Sequence, residues 1–451
     1  MKINIAGAGA GKTTQMGKNI IAECTRVGEE RNIYCITFTN NATTRIEETL
    51  RKYYGKIPSN IKVSTIHSFL YKEIIQPYYY LLYGVQYNGI SYAKLSSNPS
   101  FRNKKIRELE KDGILHVEVF TERAKWVLCR KTKDTKEQKE ARLTIRNIFS
   151  IYCAKIFIDE AQDIDKNLVD ILKQLSSTGI KLELMGDPKQ DLKGFKSLRK
   201  LVEDYPDDIK YINICYRCPQ NHLRLSNCYI SGVEQQYSEN TFGNLVFIFE
   251  NDIDVSLYIE QKKFDLLYIS EKNDRYETSG KFGQSNFFNA LCYELEKTII
   301  EQLEIREELI VKKTAYYFAF KLVNKYRECK EPKEAMKEVK RLTNNSKEAY
   351  ARIIEALKVI GVYNNEEVYL SSIEGIKGQE GKNCLFVLTT DLAAYLFKEK
   401  KEDNKTKNKL YVALTRSLEE LTILITSEVE KKYGKDNIIK MLSPFAKNMV
   451  I

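Results

Sequence analysis

Near the start of the chain, Gly7-Ala8-Gly9-Ala10-Gly11-Lys12-Thr13-Thr14 combines the residue types needed to hold a row of phosphates. Glycines let successive backbone N–H groups curl toward an anion, and a helix opening at Thr13 adds its positive end. Lys12 would reach the β/γ oxygens of a triphosphate, and Thr13 would hold Mg²⁺. The usual form of this loop begins with Gly; here Ala6 takes that place in Ala6-x4-Gly11-Lys12-Thr13, while Gly7 and Gly9 keep the loop glycine-rich. A triphosphate site also needs a carboxylate for the metal and another for water. Ile156-Phe157-Ile158-Asp159-Glu160 offers both after an apolar run, with Asp159 read as metal-binding and Glu160 as the group that polarises the attacking water. Alone, such a pair is more often a charged helix start. With the phosphate loop upstream it reads as chemistry.

These groups must be carried by alternating strands and helices. Ile3–Ala6, Asn32–Phe38 and Lys62–Ser64 read as strands, with helices at Thr13–Val27 and Ala42–Tyr53 between them. That alternation predicts parallel βαβ units. Strand signals fade from about Tyr71 to Ser150 and resume at Lys155–Ile158, Leu182–Met185 and Ile209–Ile214. A second such region begins at Leu245–Phe249 and Phe264–Ser270. A Glu- and Lys-rich helical block, roughly Ser285–Lys358, interrupts it before Glu367–Ser372, Cys384–Thr389 and Leu421–Thr426 resume. The expectation is two α/β domains, each with a helical insertion. The chain has 451 residues, 43% hydrophobic and 29% charged, which is an ordinary globular balance. A net charge of +11 suits an anionic partner such as nucleic acid, although a Lys-rich composition alone could produce it. Three histidines leave little for a His-rich metal centre, and ten scattered cysteines fit reduced thiols. With no apolar run of membrane-spanning length and no secretory leader after Met1, the expected location is the cytoplasm.

The order of the remaining motifs carries a family resemblance. Asp159-Glu160-Ala161-Gln162-Asp163 resembles the second signature of the UvrD/Rep-like superfamily 1 DNA helicases. Thr37-Phe38-Thr39-Asn40-Asn41-Ala42 resembles motif Ia, and Thr65-Ile66-His67-Ser68-Phe69 the next DNA-contacting motif. Gly186-Asp187-Pro188-Lys189-Gln190 is similar to motif III and Tyr216-Arg217-Cys218-Pro219 to motif IV. Lys377-Gly378-Gln379-Glu380 is similar to motif V and Leu410-Tyr411-Val412-Ala413-Leu414-Thr415-Arg416 to motif VI. The resemblance implies two RecA-like P-loop domains: 1–70 with 151–240 holding the ATP site, and 241–284 with 359–451. It implies insertions at 71–150 and 285–358. ATP would be bound by Gly7, Ala8, Gly9, Ala10, Gly11, Lys12, Thr13 and Thr14, with Tyr216 on the base and Glu380 on the ribose. Gln190 would sense the γ-phosphate or the water, and Arg217 and Arg416 would stabilise transition-state charge alongside Glu160. Phe38, Thr39, Asn40, Thr65, His67 and Phe195 would meet single-stranded DNA. Phe38 and Phe195 could instead be core residues and His67 a structural histidine. Cys215-x2-Cys218-x3-His222-x5-Cys228 has zinc-ligand types, but its first pair brackets Tyr216 and Arg217, which the cleft needs.

The chain departs from the family in four places. The segment before the phosphate loop, with its adenine-reading glutamine, has no counterpart before Lys2. After Gln190 only Phe195 is aromatic, with Lys193 and Lys196 at the neighbouring places. Ser372-Ile373-Glu374 replaces a Thr-x-His that touches DNA phosphate. Both insertions are short. The expected activity is DNA-stimulated ATP hydrolysis driving 3′ to 5′ movement on single strands and unwinding of duplexes. The alternative is an ATP-gated DNA-binding switch that regulates a partner nuclease, as in the compact helicase subunits of Gabija-type antiphage systems. A P-loop kinase is disfavoured, since Gln190, Arg217 and Arg416 would have no purpose. With Tyr216 stacking on any base and no adenine reader, ATP and GTP are expected to differ by less than about tenfold in kcat/KM. Steady-state hydrolysis of both nucleotides with saturating single-stranded DNA checks this; a preference above about a hundredfold would reveal a base reader.

Overall fold

The computed structural model describes residues 1–271, 275–278, 286–303, 307–329, 331–343, 346–363, 368–445 and 448–449. The parts of the second insertion expected at 285, 304–306, 330 and 344–345 lie outside them. The chain forms two units, one of Met1–Phe242 with Glu402–Thr415 and one of Gly243–Lys401 with Arg416–Ile451.

The first unit is built on β1 (Lys2–Ala6), β2 (Asn32–Thr37), β3 (Ile61–Thr65), β4 (Cys153–Ile158), β5 (Lys181–Gly186) and β6 (Ile209–Ile212). Their order is β3-β2-β4-β5-β1-β6, and every pair is parallel. The strands are apolar on both sides because helices cover both faces. On one face α1 (Lys12–Val27) and α2 (Asn40–Tyr54) bury Met16, Ile20, Ile46 and Leu50 against Ile33, Cys35 and Phe157. A parallel sheet places the carboxyl ends of all its strands along one edge. The phosphate loop, Thr39, Thr65, Asp159 and Asp187 follow those ends, and that edge is where open α/β sheets bind ligands.

On the other face the first insertion merges with the sheet. Ile3, Tyr34 and Ile156 share one continuous core with Tyr79, Leu82, Ile106, Phe120, Ile145 and Phe149. Residues 71–150 are therefore fused to the first α/β body by its hydrophobic core. A charged pair is buried in this insertion. Arg142 is 1% exposed and donates to Asp134 Oδ1 at 3.1 Å, to Cys129 O at 3.0 Å and to Tyr83 Oη at 2.9 Å.

The second unit has β7 (Asn244–Phe249), β8 (Leu266–Ile269), β9 (Tyr276–Thr278), β10 (Val368–Ser372), β11 (Gly381–Leu388), β12 (Ser417–Ile425) and β13 (Asn448–Met449). They run in the order β9-β10-β8-β11-β12-β7-β13, again parallel. Ile248, Ile269, Leu385, Val387 and Leu424 form its sheet core. Its insertion has a core of its own, in which Phe288, Leu295, Val311, Leu322, Met336, Ile353 and Leu357 interlock.

The division read from the sequence assigned 359–451 to the second domain as one piece. Glu402–Thr415 instead packs on the first unit, with the helix α3 (Lys405–Leu414) beside the turn Pro188–Gln190. Asn408 anchors it by donating to Asp191 O at 3.0 Å, and Leu410, Val412 and Leu414 are buried.

The buried pair gives a stability prediction. Asp134→Ala leaves the Arg142 charge uncompensated and should cost about 3–5 kcal/mol. Trp126, the chain's one tryptophan, lies in the same insertion with Lys131 Nζ 3.6 Å from its ring centroid. Its fluorescence during urea unfolding reads the loss, and an unchanged midpoint would contradict it.

Candidate functional site: a phosphate loop and its supports

Glycine is required by the shape of the loop after β1. Gly9 and Gly11 have φ of 67° and 71°, the left-handed region, where a side chain is strained. A Cβ on Gly9 would also come within 2.4 Å of Arg217 Cβ, so the backbone passes very close there. Gly11 caps α1, whose first residues Lys12 and Thr13 face the loop. Lys12 Nζ donates to Gly7 O at 3.1 Å and to Ala6 O at 3.3 Å. The loop thus has N–H groups, a helix end and an ammonium in one place, which is a fit for linked phosphates.

The carboxylates arrive from β4. Asp159 is fully buried and accepts from Thr13 Oγ1 at 3.1 Å and from the Glu160 N–H at 2.9 Å. Burial, then the charge of Glu160, holds the Asp159 carboxyl well above the ordinary carboxylate range, with Lys12 opposing. A carboxylate so placed gains from a hard cation beside it. Thr13 and Asp159 supply the oxygen donors that Mg²⁺ prefers, so they fit that ion. Glu160 has φ 54° and ψ 42°, a left-handed conformation that is costly for a side-chain residue. Gln162 Nε2 donates to its carboxylate.

Gln190 comes in through Asp187. Gln190 Nε2 donates to Asp187 Oδ2 at 2.9 Å, and Lys189 Nζ lies 2.9 Å from Asp187 Oδ1. Lys189 also pairs with Glu234 at 3.2 Å, and Arg199 clamps Glu234 from the other side. Tyr411, from α3, closes the arrangement. Its hydroxyl accepts from the Ala8 N–H at 2.8 Å and lies 2.9 Å from Asp187 Oδ2 and 2.8 Å from Gln236 Oε1. Gln236 Nε2 donates to Ala8 O at 2.9 Å, so both backbone polar atoms of Ala8 are held. Tyr411 and Asp187 lie inside sequence motifs that assign neither a role. Nothing in the sequence pointed to Gln236.

The motif IV turn borders the loop. Tyr216 N donates to Gly9 O at 2.8 Å, and its ring lies 3.6 Å from where a Gly11 Cβ would be. The Tyr216 side chain is 71% exposed, a free aromatic face. Arg217 Nη1 donates to Thr415 O at 3.4 Å. In the second unit Glu380 and Arg416 share one corner. Arg416 is buried and donates to Gln379 O at 3.2 Å, while its own carbonyl accepts from Gly381 N. Glu380 is exposed beside it.

The residues read as DNA contacts fall into two kinds. Phe38, His67 and Phe195 gather around Lys193, whose Nζ is 5.7 Å from the Phe38 ring centroid and 5.6 Å from that of Phe195. Phe195 is 43% exposed, whereas Phe38 packs partly against the core. His67 lies edge-on to Phe120, and burial together with the Lys193 charge lowers its pKa. Thr39 and Thr65 use their side chains as helix caps, accepting from Ala42 N at 3.2 Å and Ser68 N at 3.3 Å. Asn40 and Thr65 line a groove of about 580 Å³ with Lys62 and Lys72. Among the described residues no three His, Cys, Asp or Glu side chains are grouped so as to hold a metal ion. Among them, too, no helix is long and apolar enough to cross a membrane.

Comparison with known proteins agrees with the motifs. The AAA domain family matches residues 1–196. The chain is similar to Gabija protein GajB of Bacillus cereus (strain VD045), 29% identical over 259 residues, covering 56% of this chain. The match spans about half of that relative, 51% of its length. Both findings accord with the resemblance to UvrD-like proteins.

Removing the Tyr411 hydroxyl should loosen the loop with little change in packing. Tyr411→Phe strands the buried Ala8 N–H at a cost of ~1–3 kcal/mol, so triphosphate affinity should fall by about tenfold. Titration with a fluorescent ATP analogue measures it; unaltered affinity would mean the loop holds its shape without Tyr411.

Proposed function

We propose that the chain is an ATPase stimulated by DNA, a helicase or translocase that moves 3′ to 5′ on single strands. The observation that carries the reading is the meeting of Lys12, Thr13, Asp159, Glu160 and the Asp187–Gln190 pair at the phosphate loop. ATP would be held by Gly7–Thr14, with Tyr216 against the base and Glu380 at the ribose. Bound Mg²⁺, held by Thr13 and Asp159, would neutralise charge on the phosphate oxygens. Glu160 would orient water and take its proton, and Gln190 would align that water or the terminal phosphate. Arg217 and Arg416 would offset charge gathering on the leaving oxygens, a contribution of ~10³–10⁵ in rate for such arginines.

The DNA part of the reading rests on Phe195 with Lys193, an exposed ring and a cation side by side, the pairing that accepts any base and any phosphate. Partners would be single-stranded and duplex DNA. A second reading, an ATP-gated switch that regulates a partner nuclease in antiviral defence, is favoured by the similarity to a Gabija protein and by Glu374, an exposed acid where the family places a phosphate-touching histidine.

ATP hydrolysis with and without single-stranded DNA, beside a fluorescent unwinding assay, separates the two. A motor hydrolyses and unwinds; a switch hydrolyses or binds without unwinding. Glu160→Gln should abolish turnover by ~10²–10⁴ while nucleotide binding persists, and Lys12→Ala should weaken binding itself. Retention of more than about a tenth of the wild-type rate by Glu160→Gln would remove it from the role of base.

A further inference from the structure

Two thiols bracket Tyr216 and Arg217. Cys215 and Cys218 are both buried and form a small cluster of their own with Leu223. The backbone N–H of Cys218 donates to Cys215 Sγ at 3.3 Å, so the turn brings the second cysteine back onto the first. On its other side Cys215 Sγ abuts the phosphate loop, 2.9 Å from where a Gly9 Cβ would sit. The side chain of Cys218, then the N–H groups of Cys218 and Arg217 and the Arg217 charge, favour a thiolate and draw Cys215 down to about 6 despite burial. Other buried cysteines are pushed the opposite way, Cys153 and Cys384 both to about 12. The pair also lies outside regular secondary structure, where local opening is least costly.

We propose that Cys215 and Cys218 are a redox-modification site, at which hydrogen peroxide forms an intramolecular disulfide that closes a ring around Tyr216 and Arg217 and stops nucleotide turnover. Cys215 sulfur attacks one peroxide oxygen, the O–O bond breaks, and hydroxide leaves as water after taking a proton. The sulfenic acid so formed is displaced by Cys218 sulfur, which yields its proton to the departing hydroxyl. Two thiols lose two electrons, one peroxide becomes two waters, and one S–S bond forms.

The bond would change the loop through geometry. A disulfide demands about 2.05 Å between sulfurs and a torsion near 90°, so the two sulfurs must close on each other, and any movement of Cys215 Sγ toward Cys218 would draw it off its seat against Gly9. Tyr216 N and Gly9 O are hydrogen-bonded across that seat, and Arg217 Cβ faces the same glycine. The effect on turnover rests on the proposed roles of Tyr216 and Arg217. Formation of the bond does not.

The test treats the full chain with hydrogen peroxide and reads two things. Peptide mapping by mass spectrometry should find Cys215 linked to Cys218 with the loss of two hydrogens. ATP hydrolysis should drop by at least about tenfold, since displacements near 1 Å at a catalytic group cost up to ~10²-fold, and dithiothreitol should restore it. Cys218→Ser should hydrolyse ATP like the reduced chain and form no linkage with peroxide, its Cys215 stopping at the sulfenic acid, while Cys228→Ser, altered at an exposed cysteine, should still form the linkage. Absence of the linkage, or a linkage that leaves turnover unchanged, overturns the proposal. A chain that forms the linkage but hydrolyses no ATP when reduced sinks the ATPase reading instead, and ATP-analogue binding by the two redox forms then decides the switch.

Discussion

The hydroxyl of Tyr411 has one hydrogen and three polar neighbours. It receives the Ala8 N–H and can give its proton to Asp187 or to Gln236, one at a time. All of these groups are buried, so none can turn to water for a missing partner, and each unsatisfied one would cost ~1–3 kcal/mol. The shape of the phosphate loop therefore depends on groups from four distant parts of the chain agreeing at once. Asp187 is the busiest, since Lys189, Gln190 and Tyr411 all meet its two oxygens. Burial pushes its carboxyl up, but the charges of Lys189 and Lys12 and the bonds from Gln190 and Lys189 hold it below the usual range. A change at Gln190 would be felt at Tyr411 through one carboxylate.

Much of this site was legible in the sequence because its chemistry is local. Gly7–Thr14 needs only a strand before it and a helix after it, and Asp159-Glu160 needs only the end of a strand. Phe195 lies exposed, whereas Phe38 is shared between surface and core. The supports were not legible, because a support is defined by its partner. Tyr411 and Ala8 are 403 residues apart, and Gln236 and Ala8 are 228 apart. No spacing rule reaches that far. Thr39 and Thr65 show the reverse case, in which a residue read as a DNA contact has a local structural duty as a helix cap.

The two insertions looked alike as sequence, charged and helical, yet they are built differently. The first has one apolar side that continues the sheet core, through Phe120, Ile145 and Phe149, so it cannot move without breaking that core. The second keeps its apolar side chains for itself. Composition is blind to this difference, since both contain enough Leu, Ile and Phe to line a core. What separates them is where those residues point once folded. The same uncertainty hid the allegiance of Glu402–Thr415, whose buried leucines could have served either sheet.

That segment has a consequence for how the molecule is made. A ribosome adds ~5–20 residues per second, and domains fold as they emerge. Ala8 appears first among the loop's partners, then Asp187 and Gln236, and Tyr411 last. For ~10–35 s after Gln236 is joined, the nascent first unit has its sheet and its glycine loop but lacks the hydroxyl that receives the Ala8 amide. During that interval the growing chain is a scaffold without a finished phosphate seat. Competence for nucleotide thus waits until most of the second unit has been synthesised, and a fragment cut at 242 would stay in the unfinished state for good.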